Sequence, residues 1–275
     1  MASTAARPCH RVLDTDRRER DWANDLSAGP AGLIAERVVL SQGVADYVRF
    51  RAVCAAWRAS CPDPRAHDVL DRRFHPRRWV MIPSSASSNN AHNRRAFVNV
   101  STGECIHVRL PDLRHGHYLF GSTDEGLVVL CRKDTLAVKL HNPLTGQQAD
   151  LPCAITLLFP ETKASKGCEI NDGFRVRNAC LAGDSTVVLH YARDAIAVAR
   201  PGDERWTQLG PVNNFKSAMS FAGRFYCVTF DSILVLETTA GTADQPPRLA
   251  VAVDFKGRRG FLSSDLGTSW TWTES

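Results

Sequence analysis

Several signatures of enzyme chemistry are missing from this 275-residue chain. It contains no G-x-S-x-G nucleophile elbow, no phosphate-binding P-loop and no dinucleotide-binding G-x-G-x-x-G. No apolar run approaches the roughly 18 residues that a membrane-spanning helix requires. Ser, Cys and His are plentiful, but their abundance does not define a catalytic trio. These absences predict a protein that is not an enzyme and does not act in a membrane.

The nine cysteines also lack the spacing of a metal or redox site, because no two of them form C-x-x-C. Their number is odd and most lie in apolar runs, which favours buried, reduced thiols in a nuclear or cytoplasmic protein. The early acids at Asp14 and Asp16 argue against an organellar transit peptide. His115 and His117 share a loop without an evident third ligand, so we expect no metal and no cofactor.

The net charge of +5 comes partly from four arginines that lie close together, Arg72, Arg73, Arg77 and Arg78. Such a cluster has two interpretations, a nucleic-acid patch or a solvated, basic linker. No aromatic platform and no nucleic-acid motif accompanies these arginines. We therefore favour the linker and expect no nucleic-acid partner.

Helical periodicity is confined to residues 22–60, after a polar stretch over residues 1–21 that is typical of a disordered arm. Ser27 is placed to cap a helix that begins near Pro30. After a break near Gly43, the pattern predicts a second helix over 46–58, with an apolar stripe along one face. A helix pair this small does not bury its own stripe, so the stripe needs either the rest of the chain or another protein to cover it.

Beyond a polar, basic connector at residues 61–78, the apolar period changes from 3.6 to 2, which predicts β-strands over residues 79–255. Three stretches repeat a turn followed by a strand that stops at Leu-Pro or Leu-Gly-Pro, and their leucines are Leu110, Leu151 and Leu209. A fourth, looser copy ends near residue 254. A repeat of roughly 40–50 residues with about four strands is typical of propeller blades. The fold class predicted is mainly β, an incomplete β-propeller of about four blades after a short helical segment, with a tail at 256–275.

Individual residues within the repeats have ordinary structural interpretations. Asp124 and Glu125 precede Gly126 as a β-turn would, although paired carboxylates also occur in active sites. Trp206 recurs where propeller blades bury an aromatic ring. Trp270 and Trp272 alternate in the tail, and either pack on the last blade or form an exposed edge. Polar residues 84–93 predict a loop, and residues 160–173 an insertion between blades.

Two stretches of the sequence resemble a known family. An F-box is resembled by the first stretch, which consists of WANDL at 22–26, GPAGLI at 29–34 and RFRAVCAAWR at 49–58. A resemblance to the plant F-box family with a KIB-type β-propeller is carried by three other segments: LDRRFHPRRW at 70–79, HNPLTGQQADLP at 141–152 and ARPGDERWTQLGP at 199–211. The chain departs from that pattern at Gly29, where an F-box has Leu, and the spacing to Asp46 is one residue longer.

The resemblance implies a substrate receptor of a ubiquitin ligase. The helical segment would dock on a Skp-type adaptor bound to a cullin scaffold, and the propeller would bind a protein substrate. Two alternatives remain open. One is a shortened, non-functional or competitor fragment, and the other is a propeller with a ligand-binding or enzymatic site where polar residues converge at the channel mouth. The adaptor-binding residues that the resemblance implies are Pro30, Leu33, Ile34, Val53, Cys54 and Trp57.

Overall fold

A computed structural model describes residues 26–82, 94–111, 113, 116–158, 176–183, 185–191, 195–238 and 246–255. The predicted arm at 1–21, the polar loop at 84–93, the insertion at 160–173 and the tail at 256–275 with Trp270 and Trp272 lie outside the described residues.

Three helices form the described part of the helical segment: α1 (Ala28–Ser41), α2 (Val44–Ala52) and α3 (Ala55–Ala59). Gly43 has a φ of +97°, which favours glycine and separates α1 from α2. Ser27 is the N-cap residue of α1, as predicted, but its side chain makes no capping hydrogen bond. The single helix predicted over 46–58 is wrong. Cys54 adopts an extended conformation, and its Sγ accepts a hydrogen bond from Trp57 N at 3.4 Å, which begins a separate short helix.

Fifteen antiparallel strands in the described ranges form four sheets. The first sheet has three strands and each of the others has four, joined in sequence order, as propeller blades are. The predicted incomplete propeller of about four blades is therefore confirmed. The strands of blade 1 are β1 (Trp79–Met81), β2 (Arg94–Asn99) and β3 (Cys105–Arg109), those of blade 2 are β4 (His117–Ser122), β5 (Val128–Arg132), β6 (Val138–His141) and β7 (Gln148–Leu151), those of blade 3 are β8 (Val176–Ala182), β9 (Thr186–Tyr191), β10 (Ala195–Ala199) and β11 (Thr207–Pro211), and those of blade 4 are β12 (Phe215–Phe221), β13 (Arg224–Thr229), β14 (Ser232–Glu237) and β15 (Arg248–Asp254).

The second strands of the two middle blades are buried on both faces, which explains their continuous apolar sequences. Every residue of β9 is buried, and so are the first four residues of β5. In β13 of blade 4, buried and half-buried residues alternate, because only one of its faces packs on blade 3. A short helix, α4 (Ile155–Leu158), follows β7 and packs with blades 2 and 3.

Trp206 is buried in the core between blades 2 and 3, as the repeat predicts. Its indole Nε1 donates a hydrogen bond to the Pro152 carbonyl at 2.8 Å, which connects two successive blades. The turn predicted at Asp124 and Glu125 is confirmed as well. Gly126 N donates to Thr123 O at 2.9 Å, and Gly126 has a φ of +85°.

Replacing Trp206 with phenylalanine should lower the free energy of unfolding by about 1–2 kcal/mol, because the Pro152 carbonyl loses its donor. Urea unfolding with an unchanged m-value would measure this loss. Trp57→Phe is the matched control, because the buried Trp57 Nε1 has no hydrogen-bond partner. We expect that variant to be neutral or slightly stabilised. Equal losses in the two variants would contradict a specific role for the hydrogen bond.

The connector is not a solvated linker, although its four arginines are exposed. Phe74 packs in the core of the helical segment, and Val69 packs in the core shared by blades 2 and 3. Asn142 Nδ2 donates to the buried Phe74 carbonyl at 2.8 Å, and Gln147 Nε2 donates to His67 O. The connector therefore fixes the helices to the blades.

Antiparallel pairing gives the propeller two distinct ends. The β4–β5 and β6–β7 turns lie at one end of blade 2, and the β5–β6 turn lies at the other. The connector and the helices contact the β6–β7 turn, so we call that side the helix end. The opposite side, which carries the β5–β6 turn and the start of β4, is called the far end.

Candidate partner-binding face

The helical segment exposes large apolar side chains, although its other face is buried. Leu33 and Leu40 of α1 are 70 % and 74 % exposed, and Val53, just after α2, is 55 % exposed. Ile34 and Val48 are exposed too. We call these five residues, together with the exposed Pro30, the docking face. Exposed apolar groups on helices that are otherwise packed are a common mark of a protein-interaction site.

Four of the six predicted adaptor-binding residues belong to the docking face: Pro30, Leu33, Ile34 and Val53. Cys54 and Trp57 do not, because both are half-buried within the helical segment. The Trp57 ring stacks on Phe50 with centroids 4.4 Å apart. Leu40 and Val48 were not predicted as site residues. Because both lie within the helical pattern as ordinary apolar positions, only their exposure distinguishes them.

The stripe expected along 46–58 is partly covered by this chain. Tyr47 is buried, its ring lies 5.5 Å from that of Phe74, and its hydroxyl donates to Pro62 O at 2.8 Å. Burial is the main reason that the pKa of Tyr47 is raised. Leu144 of the β6–β7 turn packs against the same core. The stripe is thus divided between an internal face and the docking face.

Charged contacts hold α2 in a fixed position relative to its surroundings. Arg51 is nearly buried; it donates to Cys61 O at 2.7 Å and lies 3.1 Å from an Asp63 oxygen. Arg49 donates to Asp46 at 2.8 Å and to both oxygens of Glu104 in the β2–β3 turn. A two-oxygen contact of this kind defines orientation as well as distance. The docking face is therefore presented on a rigid support.

A second candidate site lies at the helix end, where polar groups from the connector meet the inner turns of blades 2, 3 and 4. Arg72, His75 and Arg77 line this pocket of about 340 Å³ with Asp124 and Glu125. Burial, together with the charges of Arg77 and Arg72, lowers the pKa of His75 to about 4. Burial raises the pKa of Glu125. Such a convergence is what the ligand-binding alternative requires.

Two further expectations concern metals and thiols. Across the described ranges, no group of three or more His, Cys, Asp or Glu side chains is placed to hold a metal ion. None of the seven cysteines in those ranges forms a disulfide, and Cys61, Cys131, Cys180 and Cys227 are buried.

Burial raises the pKa of Cys131, Cys180 and Cys227 to about 12, so these three thiols stay protonated at neutral pH. In the part of the chain that the structure describes, no helix has the length and apolarity to cross a membrane.

Solved structures with some likeness to this chain are distant. A streptogramin B lyase is 13 % identical with a TM-score of 0.31, over 58 % of this chain and 51 % of that one. A protein of unknown function from Bacteroides caccae is 13 % identical with a TM-score of 0.27, over 58 % of this chain and 53 % of that one. The chain thus spans about half the length of these structures. No curated protein matches it.

The family comparison is more informative, because it covers most of the blades. The profile described as the KIB1-4 beta-propeller matches residues 97–266, from within β2 to beyond the end of β15. That match spans more than half of the sequence and agrees with the succession of antiparallel sheets. The chain belongs to the KIB1-4 beta-propeller family.

Proposed function

We propose that this chain is a non-enzymatic substrate receptor of a Skp/cullin/F-box ubiquitin ligase. Its helical segment binds a Skp-type adaptor through the docking face, and its propeller binds a protein substrate. The observation that carries the proposal is the exposure of Leu33, Leu40 and Val53 on helices whose opposite face is buried. A propeller of this family also suggests a role in protein–protein interaction.

The position of the docking face supports a receptor with two binding regions. The helices contact blades 1 and 2 through the β2–β3 and β6–β7 turns, at the helix end. An adaptor on the docking face leaves the far end of blade 2 accessible to a second protein. Arg49 connects α2 to the β2–β3 turn of blade 1, so an adaptor on the helices and a substrate on the propeller would be held by connected parts of one chain.

Replacing Leu33 and Val53 with glutamate should weaken binding of a Skp-type adaptor at least 30-fold, since buried apolar anchors at such interfaces are typically worth about 2 kcal/mol each. Both side chains are exposed in the isolated chain, so the fold should tolerate the change. Co-purification from cells that express both proteins, followed by titration of the purified chain, would measure the effect.

The matched control is Met219→Glu with Val253→Glu, because these residues of blade 4 are exposed and apolar as well. We expect this control to bind the adaptor like the wild type. Wild-type protein that binds no adaptor would refute the proposal, as would equal binding by both double variants. A chain that binds the adaptor but lacks a protease-resistant core beyond residue 80 would favour the competitor-fragment alternative.

A further inference from the structure

A cleft of about 560 Å³ lies along blade 2, on the side that faces blade 1. Its floor is the face of blade 2 that carries Leu130, which packs with residues of blade 1. The start of β4 and the β5–β6 turn line it at the far end, and the ends of β6 and β7 beside the β6–β7 turn line it at the helix end. The polar residues that line it are His117, Arg132, Lys133, Asp134, Lys139 and His141.

Positive charge predominates in this cleft, which three cations line with a single carboxylate. Arg132 pairs with Asp134, with Nη2 and Oδ2 2.6 Å apart. Lys139 Nζ lies 3.3 Å from an oxygen of Asp150, but Asp150 is 82 % exposed and does not line the cleft. Lys133 Nζ lies 5.1 Å above the Tyr118 ring. Sheet register and alternation place Arg132 and Lys139 on the face of blade 2 that carries Leu130, whereas the Tyr118 ring beneath Lys133 packs in the core shared with blade 3.

His141 adds a polar group that lacks a partner. It lies on β6, is only 6 % exposed and lines the cleft. Its Nδ1 atom is buried and makes no hydrogen bond. Buried polar atoms in folded proteins nearly always have a partner, so the His141 ring keeps unused hydrogen-bonding capacity beside a basic cleft. Because burial lowers the pKa of His141 to about 4, the ring is neutral near pH 7 and has one N–H to donate.

We propose that the cleft between blades 1 and 2 binds a phosphoryl group through Arg132, Lys139 and His141. A phosphate monoester carries a charge of about −1.5 to −2 at pH 7 and three strong acceptor oxygens, which suits two cationic donors and one neutral imidazole. The carrier of the group is a phosphorylated residue of the bound protein, and this part rests on the proposed function. The phosphoryl site itself does not.

The location of the cleft is consistent with that role. The cleft runs along blade 2 from Lys133 and Asp134 at the far end to His141 and Gln148 beside the β6–β7 turn. None of the docking-face residues lines it, so adaptor and phosphorylated substrate would contact different residues.

Titration of the full-length chain with inorganic phosphate, and separately with a phosphoserine peptide and its unphosphorylated counterpart, tests the site. We expect Arg132→Gln with Lys139→Gln to weaken binding of phosphate and phosphopeptide at least tenfold. The control, Lys216→Gln with Arg248→Gln, removes the same charge from blade 4 and should leave both affinities unchanged. The unphosphorylated peptide should bind at least tenfold more weakly than the phosphopeptide.

Three outcomes would overturn the proposal: wild type that binds neither phosphate nor phosphopeptide, a cleft variant that binds both like wild type, or equal losses in cleft variant and control. Binding of inorganic phosphate without preference for the phosphopeptide would leave a small-anion site and refute the peptide carrier. Adaptor binding measured on the same cleft variant should be unchanged. Failure at the cleft can thus be distinguished from failure at the docking face.

Discussion

Replacing Gly126 with alanine should lower the free energy of unfolding by about 3 kcal/mol. Gly126 has a φ of +85°, and a Cβ atom built there would lie 2.9 Å from Pro76 C and still closer to the Pro76 carbonyl oxygen. Neither partner is a flexible side chain. The alanine must therefore push the connector away from blade 2, in addition to the cost of its own backbone conformation.

Gly146→Ala is a control that separates these two costs. Gly146 lies in the β6–β7 turn with a φ of +80°, and nothing lies within 4 Å of its built Cβ. The free energy of unfolding of this variant should fall only by the cost of the backbone conformation, about 1 kcal/mol. Urea unfolding of both variants measures the difference. If both lose the same amount, the contact between Pro76 and Gly126 does not hold the connector, and the linker interpretation regains support.

The strand pattern could be predicted because successive blades repeat the same local sequence pattern of turn residues and strands. Period-2 alternation and Leu-Pro stops locate β3 near Leu110 and the end of β7 at Leu151, and turn residues locate Gly126. The strand β8 was not predicted. Its polar Arg177 and Asn178 interrupt the apolar pattern, and only its last four residues are buried, so neither a period of 2 nor a continuous apolar run marks this strand.

The helical segment was predicted less accurately, because helix spacing does not reveal which face is covered. Tyr47 and Phe50 continue the pattern of Val53 and Trp57, but the chain turns at Cys54 and buries part of the stripe against Phe74. The contact with Phe74 depends on the connector, whose arginines made it look solvated. Only tertiary packing separates the internal residues from the docking face.

The cleft between blades 1 and 2 was not predicted, because no local motif encodes it. Arg132 is the last residue of β5, whereas Lys139 and His141 lie on β6, with ordinary spacing for a β-hairpin. They converge because β5 and β6 pair with Leu130 opposite Lys139. Alternation places Lys139 and His141 on the same face of blade 2. The pairing of β5 with β6 must be known before these residues can be assigned to one site.

Acidification should destabilise the protein well above the pH at which exposed carboxylates are protonated. Burial lowers the pKa of His141 to about 4, and burial with nearby arginines does the same to His75, against an ordinary value of 6.5. The unfolded chain therefore binds more protons than the folded chain between these values. Stability is complete above about pH 6.5 and falls as the pH drops towards 4.

Each histidine should cost about 2–3 kcal/mol at pH 4.5 relative to pH 7, so the pair removes a large part of an ordinary domain's stability. Urea unfolding across this range would measure the slope. His75→Leu with His141→Leu should abolish most of the decline, whereas His107→Leu, at an exposed position of β3, should not change it. A double variant as acid-sensitive as wild type would assign the decline to carboxylates. Phosphate present at saturation should change the contribution of His141 and leave that of His75 unaltered, because of these two residues His141 lines the cleft and His75 lies in the pocket at the helix end.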